Sequence, residues 1–299
     1  MDQKRIIDEF KELVSIEVHS RDERAIADVL KEKLTALGLT VTEDKAGEVL
    51  GGNTGNLYAQ LPGSTDGEPV LFSAHMDRVG NHGHIVPLVK EEEGKIVSDG
   101  TSILAGDDIG GVAAILAMLR EVKEKQIPHG PIEVAFSVCE ETGVEGSRQY
   151  DFSKFRSKSA FVYDASGKAG TIVLAAPSKG RVTIRVHGVT AHAGNEPEKG
   201  LNALKVAADL IMQLPDGRLS PVSTANFSII EAGSATNVVC DLVTITGEQR
   251  SRDAKEYQQI SADIQAAADR ISEKYHTKIE VELHTLYHAF KLEETARPC

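Results

Sequence analysis

The chain has 299 residues, of which 41% are hydrophobic and 26% charged, which suits two soluble domains or one large one. No apolar run reaches the roughly 18 residues that a membrane span requires, so no membrane association is expected. A net charge of −12 disfavours nucleic acid as a partner, because phosphate binding demands clustered Lys and Arg.

The opening residues, Met1 to Phe10, mix charged and apolar side chains without the apolar core of a signal peptide. They read as an amphipathic helix in a cytoplasmic protein. Apolar periodicity predicts helices over 2–15 and 21–37, the second ended by Gly38. Strands follow near 40–44, 56–61 and 69–74; the last is a continuous apolar run of the kind buried on both faces. Val112, Ile115, Leu116 and Leu119 form the stripe of a helix over 110–125, and strands at 131–138 and 160–163 come next. This alternation predicts an α/β sheet flanked by helices. Beyond Ala175-Ala176-Pro177-Ser178 the pattern changes: Arg181 to Val186 alternates like an antiparallel strand with one solvated face. A helix over 199–213, strands near 225–231 and 239–247, a helix over 253–274 and a strand near 278–285 complete a βαββαβ order, the split-βαβ sandwich. It makes a separate domain over 178–286, after a first domain over 1–177.

The three cysteines, Cys139, Cys240 and Cys299, are far apart and form no C-x-x-C pair, which excludes a disulfide framework or a cysteine zinc site. Other residues stand out by position. His75 and Asp77 directly follow a strand and point to the same side of an extended chain. A carboxylate can hold one imidazole nitrogen while the other ligates a metal, although an isolated H-x-D is more readily a surface turn. Asp107 and Asp108 precede a strong helix. One Asp would suffice as a cap, whereas two adjacent carboxylates repel and a cation would relieve that cost. Glu140 and Glu141 follow the strand 132–138, and Asp164 ends the strand 160–163. Ligands of open α/β sheets gather at the carboxyl ends of strands, and oxygen donors with an imidazole suit Zn, Mn or Co.

In combination and order these motifs resemble the dinuclear zinc exopeptidases that include aminoacylase, glutamate carboxypeptidase and tripeptide aminopeptidase. Ser73-Ala74-His75-Met76-Asp77 and Glu140-Glu141-Thr142-Gly143 point to the peptidase T-like subgroup. The resemblance implies a mixed sheet flanked by helices, carrying an inserted α+β, ferredoxin-like lid and dimerisation domain. It implies two divalent metal ions, zinc first, with Mn or Co as alternatives. His75 and Asp164 would bind one ion, Glu141 the other, and Asp107 would bridge; Asp77 would orient His75 and Glu140 would act as general base. A cis peptide between Asp107 and Asp108 belongs to the same pattern. In the second domain His192, Asn237 and Arg250 match positions that contact substrate, and a homodimer through that domain is implied. A family histidine near the C-terminus has no counterpart, since His276, His284 and His288 lie in or just after the lid's last helix and strand. The first domain is therefore expected to resume at 287–299 and stop short, leaving the second metal site incomplete. Hydrolysis of short peptides is the leading expectation. The alternatives are an N-acyl-amino-acid deacylase or carboxypeptidase of the same family, or an inactive metal- or peptide-binding protein.

Overall fold

The computed structural model describes residues 2–80, 83–168 and 170–293. The chain divides into two compact units, the first running to Thr171 and the second beginning at Ile172.

The first unit opens with helices α1 (Gln3–Val14) and α2 (Arg24–Ala36), whose buried stripes include Leu13, Val14, Leu30 and Leu34. Strand β1 (Thr40–Glu43), the short helix α3 (Ala46–Leu50), and strands β2 (Leu57–Leu61) and β3 (Val70–His75) follow. A hairpin of β4 (Pro87–Lys90) and β5 (Lys95–Ser98) leads into helix α4 (Gly106–Glu124), then β6 (Ile132–Ser137) and β7 (Ser159–Val162). The main sheet has the order β1-β2-β6-β3-β7. Its β6, β3 and β7 are parallel and its β1 and β2 antiparallel. This is the mixed sheet flanked by helices that the sequence leads one to expect. The strand buried along its whole length is β6. In β3 the residues Val70 to Ser73 are only partly buried, because β3 lies one strand from the edge that β7 forms. Glu133, a charge inside β6, is satisfied by Tyr58 Oη at 2.8 Å and by the Arg156 and Ser157 N–H groups, which pins the segment leading into β7.

The second unit contains β8 (Ala175–Ala176), β9 (Ser178–His187), α5 (Ala203–Ile211), β10 (Gly217–Ser220), β11 (Ser223–Ala232), β12 (Leu242–Ser251), α6 (Ala254–Tyr275), β13 (Ile279–Tyr287) and β14 (Phe290–Lys291). Its antiparallel sheet runs β10-β11-β12-β9-β13, so without the added β10 it is the βαββαβ arrangement. Val182, Ile184 and Val186 of β9 meet Val206, Leu210, Ile264 and Ile271 of the two helices in a core of their own. The unit boundary falls at 171/172 rather than 177/178. Residues 287–293 stay with the second unit, where Phe290 and Lys291 pair with Ala176 and Ala175. Residues 294–299, including Cys299, lie outside the described residues. Among the described residues no helix is long and apolar enough to cross a membrane.

Candidate metal centre

Three parallel strands deliver the first unit's acidic and imidazole groups to one end of the sheet. His75 is the last residue of β3 and stands level with Ser137, so Cys139, Glu140 and Glu141 emerge beside it. On the other side Ser73 pairs with Val162, and the Tyr163 N–H donates to Ser73 O at 2.9 Å, which brings Asp164 alongside. The start of α4 completes the ring: Asp107 and Asp108 depart from helical geometry, the peptide between them is cis, and the His75 N–H donates to Asp108 Oδ2 at 3.1 Å. Gly111 makes this approach feasible. A Cβ there would lie 2.3 Å from Asp108 Oδ1 and 2.6 Å from Tyr163 Cβ, so no side chain fits between helix and strand end.

His75 Nε2 lies 2.9 Å from Asp107 Oδ1 and 3.9 Å from Glu140 Oε2, while Nδ1 lies 2.9 Å from the Asp77 carbonyl and 3.3 Å from Asp77 Oδ1. Two sets of donor atoms share this imidazole. His75, Asp107 and Glu141 form one, His75, Glu140 and Asp164 the other, and within each set the atoms lie within 4.8 Å of one another. Asp77 is fully buried. Its carboxylate accepts the Glu140 N–H at 2.9 Å, the Glu141 N–H at 3.2 Å and the Ser20 hydroxyl at 2.6 Å. Arg78, also buried, donates to the Val18 and Val14 carbonyls and so ties the Ser20 loop to this strand end.

The electrostatics are those of crowded anions around one imidazole. Burial pushes Glu141 up to about 7, and the nearby Asp107 adds to it. Burial also raises Glu140 and Asp164, as do the surrounding carboxylates. Asp108 is pushed up to about 8, chiefly by burial. Burial alone would lower His75, but Asp77, Asp108 and Glu140 overcome that and push it up to about 10. Asp77 also resists burial: its bonds from His75, Ser20 and Glu140 hold it below the usual carboxylate range. A divalent cation meets this demand for positive charge while displacing protons from the donors. The set of one imidazole and several carboxylates therefore fits such an ion, with Zn, Mn and Co the suitable choices.

The second unit presents its singled-out residues differently. His192 and Asn237 lie together: Ala193 N–H donates to Asn237 O at 3.0 Å, and His192 bridges Val238. His192 Nδ1 accepts from the Gly194 and Asn195 N–H groups, both at 3.2 Å, which places its proton on Nε2. Arg250 lies elsewhere. It pairs across the sheet with Lys179, whereas the His192 segment follows the other end of β9, where His187 meets Leu242. The length of β12 between those ends is roughly 25 Å. Arg250 is engaged with Glu248 through Nε at 2.7 Å. The sheet thus separates Arg250 from His192 and Asn237.

Two residues of the first unit's centre carried no signal in the sequence. Ser20 reaches Asp77 across 57 positions of sequence, and Glu23 accepts the Cys139 N–H across 116. Neither distance leaves a local pattern.

A shared imidazole ringed by carboxylates at the open ends of parallel strands defines a metal-dependent hydrolase. Comparison with known proteins agrees. Residues 177–276 match the model of the peptidase dimerisation domain, and residues 56–195 that of peptidase family M28. The chain is 36% identical over 294 residues to the uncharacterised protein YqjE of Bacillus subtilis, covering 98% of this chain and 79% of that one. The crystal structure of aminopeptidase PepT from Bacillus cereus is 38% identical with a TM-score of 0.87, and a tripeptidase from Staphylococcus aureus 33% identical with a TM-score of 0.92. Each of the two matches 99% of this chain and 79% of its own. Peptidase T of Staphylococcus carnosus is 28% identical over 240 residues, and the match spans 57% of its length. The chain belongs to the peptidase T-like family of metallopeptidases.

Proposed function

We propose that this protein hydrolyses short peptides from their amino terminus, as a tripeptide aminopeptidase does. The observation that carries this reading is that His75 belongs to two sets of donor atoms, one with Asp107 and Glu141 and one with Glu140 and Asp164. The likeness to an aminopeptidase and a tripeptidase supports the choice of substrate. His75 and Asp164 would hold one cation and Glu141 a second, with Asp107 between them and zinc as the ion. When bound, such cations polarise the scissile carbonyl and acidify the attacking water. Glu140 takes the proton from that water as its oxygen adds to the carbonyl carbon. It then gives the proton to the amine nitrogen as the C–N bond breaks. Asp77 holds Nδ1 of His75, which leaves Nε2 facing the donors. His192 Nε2–H serves as a donor to the substrate carbonyl, Asn237 binds its backbone, and Arg250 offers its fork to the substrate carboxylate.

A second part of the proposal concerns assembly. His192 and Asn237 lie at the opposite end of the sheet from Arg250, so both can meet one short peptide only if two copies each contribute one end. We infer a homodimer through the second unit, and the match to the peptidase dimerisation domain supports it. Mixing inactive His192→Ala and Arg250→Ala chains should then restore activity in mixed dimers.

The decisive experiment is tripeptide hydrolysis with added Zn, Mn or Co, alongside elemental analysis of the purified protein. Turnover that depends on the metal and on Glu140 is expected. Hydrolysis of N-acyl amino acids but not of tripeptides would move the assignment to a deacylase. Cation binding without any turnover would leave only a binding protein.

A further inference from the structure

The turn that carries Glu140 and Glu141 has an unusual anchor. Cys139 adopts the left-handed conformation at φ 51°, which costs a residue with a side chain free energy unless its surroundings hold it there. From Cys139 onward, three successive N–H groups point at two buried carboxylates. The Glu140 and Glu141 N–H groups go to Asp77, and the Cys139 N–H goes to Glu23 Oε1 at 2.9 Å. The same oxygen takes the Cys139 thiol at 3.6 Å. Successive N–H groups of this kind form a concavity that binds anions, and here the protein fills it with its own carboxylates. The turn is closed from the other side as well, by Thr142 Oγ1 and the Glu145 N–H on the Cys139 carbonyl. Arg21, two residues before Glu23, reaches Glu145 at 2.9 Å.

Glu23 is a poor choice for stability. It is 0% exposed and has no ion pair among the described residues, and its Oε2 finds no hydrogen-bond partner there. Burying a carboxyl group half-used costs free energy that a leucine of similar volume would not. Unlike Asp77, Glu23 makes no hydrogen bond to His75 among the described residues; its carboxyl group bonds the Cys139 turn and the Arg21 backbone that faces it.

We propose that Glu23 is a positioning residue, which aims the Glu140 and Glu141 side chains by holding the Cys139 N–H in its left-handed turn. This role rests on the reading of Glu140 and Glu141 given above. What Glu23 supplies is an acceptor oxygen at a fixed place, so a side chain with an oxygen there should replace it, and an apolar one should not.

The test compares Glu23→Gln, which keeps an acceptor oxygen, with Glu23→Leu, which has none. Both are measured by Co(II) titration followed through visible absorption, by tripeptide kinetics, and by thermal melting to confirm folding. For Glu23→Leu, Co(II) affinity and kcat should fall roughly 10–100-fold, the usual size for residues that orient ligands, with KM changed by less than about threefold. Glu23→Gln should recover most of that loss. If Glu23→Leu does not fold, Glu23→Asp, whose carboxylate is withdrawn by one methylene, takes its place with the same expectation. A folded Glu23→Leu with the parent's Co(II) spectrum, affinity and kcat overturns the proposal, and so does a Glu23→Gln as impaired as Glu23→Leu. A parent that binds Co(II) but cleaves no tripeptide refutes the substrate reading alone, and the Co(II) titration still decides the role of Glu23. A parent that binds no Co(II) refutes the metal reading and this role with it.

Discussion

In the first unit His75 is 2% exposed and Asp77 fully buried, and their bonds reach residues from Ser20 to Glu141. In the second unit His192 stands exposed, its ring bonded among the described residues only to the N–H groups of Gly194 and Asn195. Arg250 is half-buried against Glu248, two residues away on its own strand. One region fixes its functional atoms through a layer of buried partners distant in sequence; the other presents side chains held by their neighbours. Groups meant to act on reacting atoms gain from the first arrangement, because small displacements there are costly. Under the proposed function, groups that meet a substrate or a second copy need the open face of the second.

The sharpest way to break this contrast is Glu140→Gln. The loss in kcat should be about 10²–10⁴-fold, the range for a general acid–base group, with Co(II) binding largely kept. A small loss in steady-state tripeptide kinetics would place the proton transfer elsewhere. Asp77→Ala comes next. It frees two N–H groups and the His75 ring together, so metal affinity by calorimetry should drop roughly 10–100-fold. An unchanged affinity would show that the buried layer is packing alone. In the second unit Arg250→Lys keeps the charge and loses the planar fork. It should raise KM by about tenfold with little change in kcat, as expected where binding is uniform in ground and transition states.

The smallest effect concerns stability against acid. Glu43 is opposed by burial, yet bonds from Arg24, Gly55, Lys31 and Thr54 hold it well below the usual carboxylate range. A carboxylate depressed in the folded state stabilises the fold above its unfolded pKa. That contribution fades as pH falls from there towards the folded value. Glu43→Gln should therefore lower Tm at pH 7 by roughly 2–4 °C and leave a flatter decline between about pH 4.5 and 2. The difference from the parent should shrink in high salt, since the network is partly exposed. Equal Tm losses at pH 7 and pH 2 would show that lost packing, not charge, is responsible.

The helices at 2–15 and 110–125 were legible because their apolar stripes recur at the helical period. The β4–β5 hairpin, α3 and β10 were not singled out from the sequence. The strand ending at Ser251 lies several residues later than its expected 239–247, because Gly247 occurs inside it, where a Cβ would strike Asn226 O at 2.4 Å.

His75, Asp77, Asp107, Glu140, Glu141 and Asp164 could be singled out from sequence alone, because each follows a strand or precedes a helix that announces itself locally. Their convergence was decided by the tertiary structure, through the parallel pairing of β6, β3 and β7 and the space that Gly111 leaves for α4. Tertiary contact alone also brought in Ser20 and Glu23, and it separated Arg250 from His192 and Asn237 along one sheet. The physical reason is that hydrophobic period and turn chemistry act over a few residues. Hydrogen bonds to a buried carboxylate form wherever the fold delivers a donor, however distant it is in the chain.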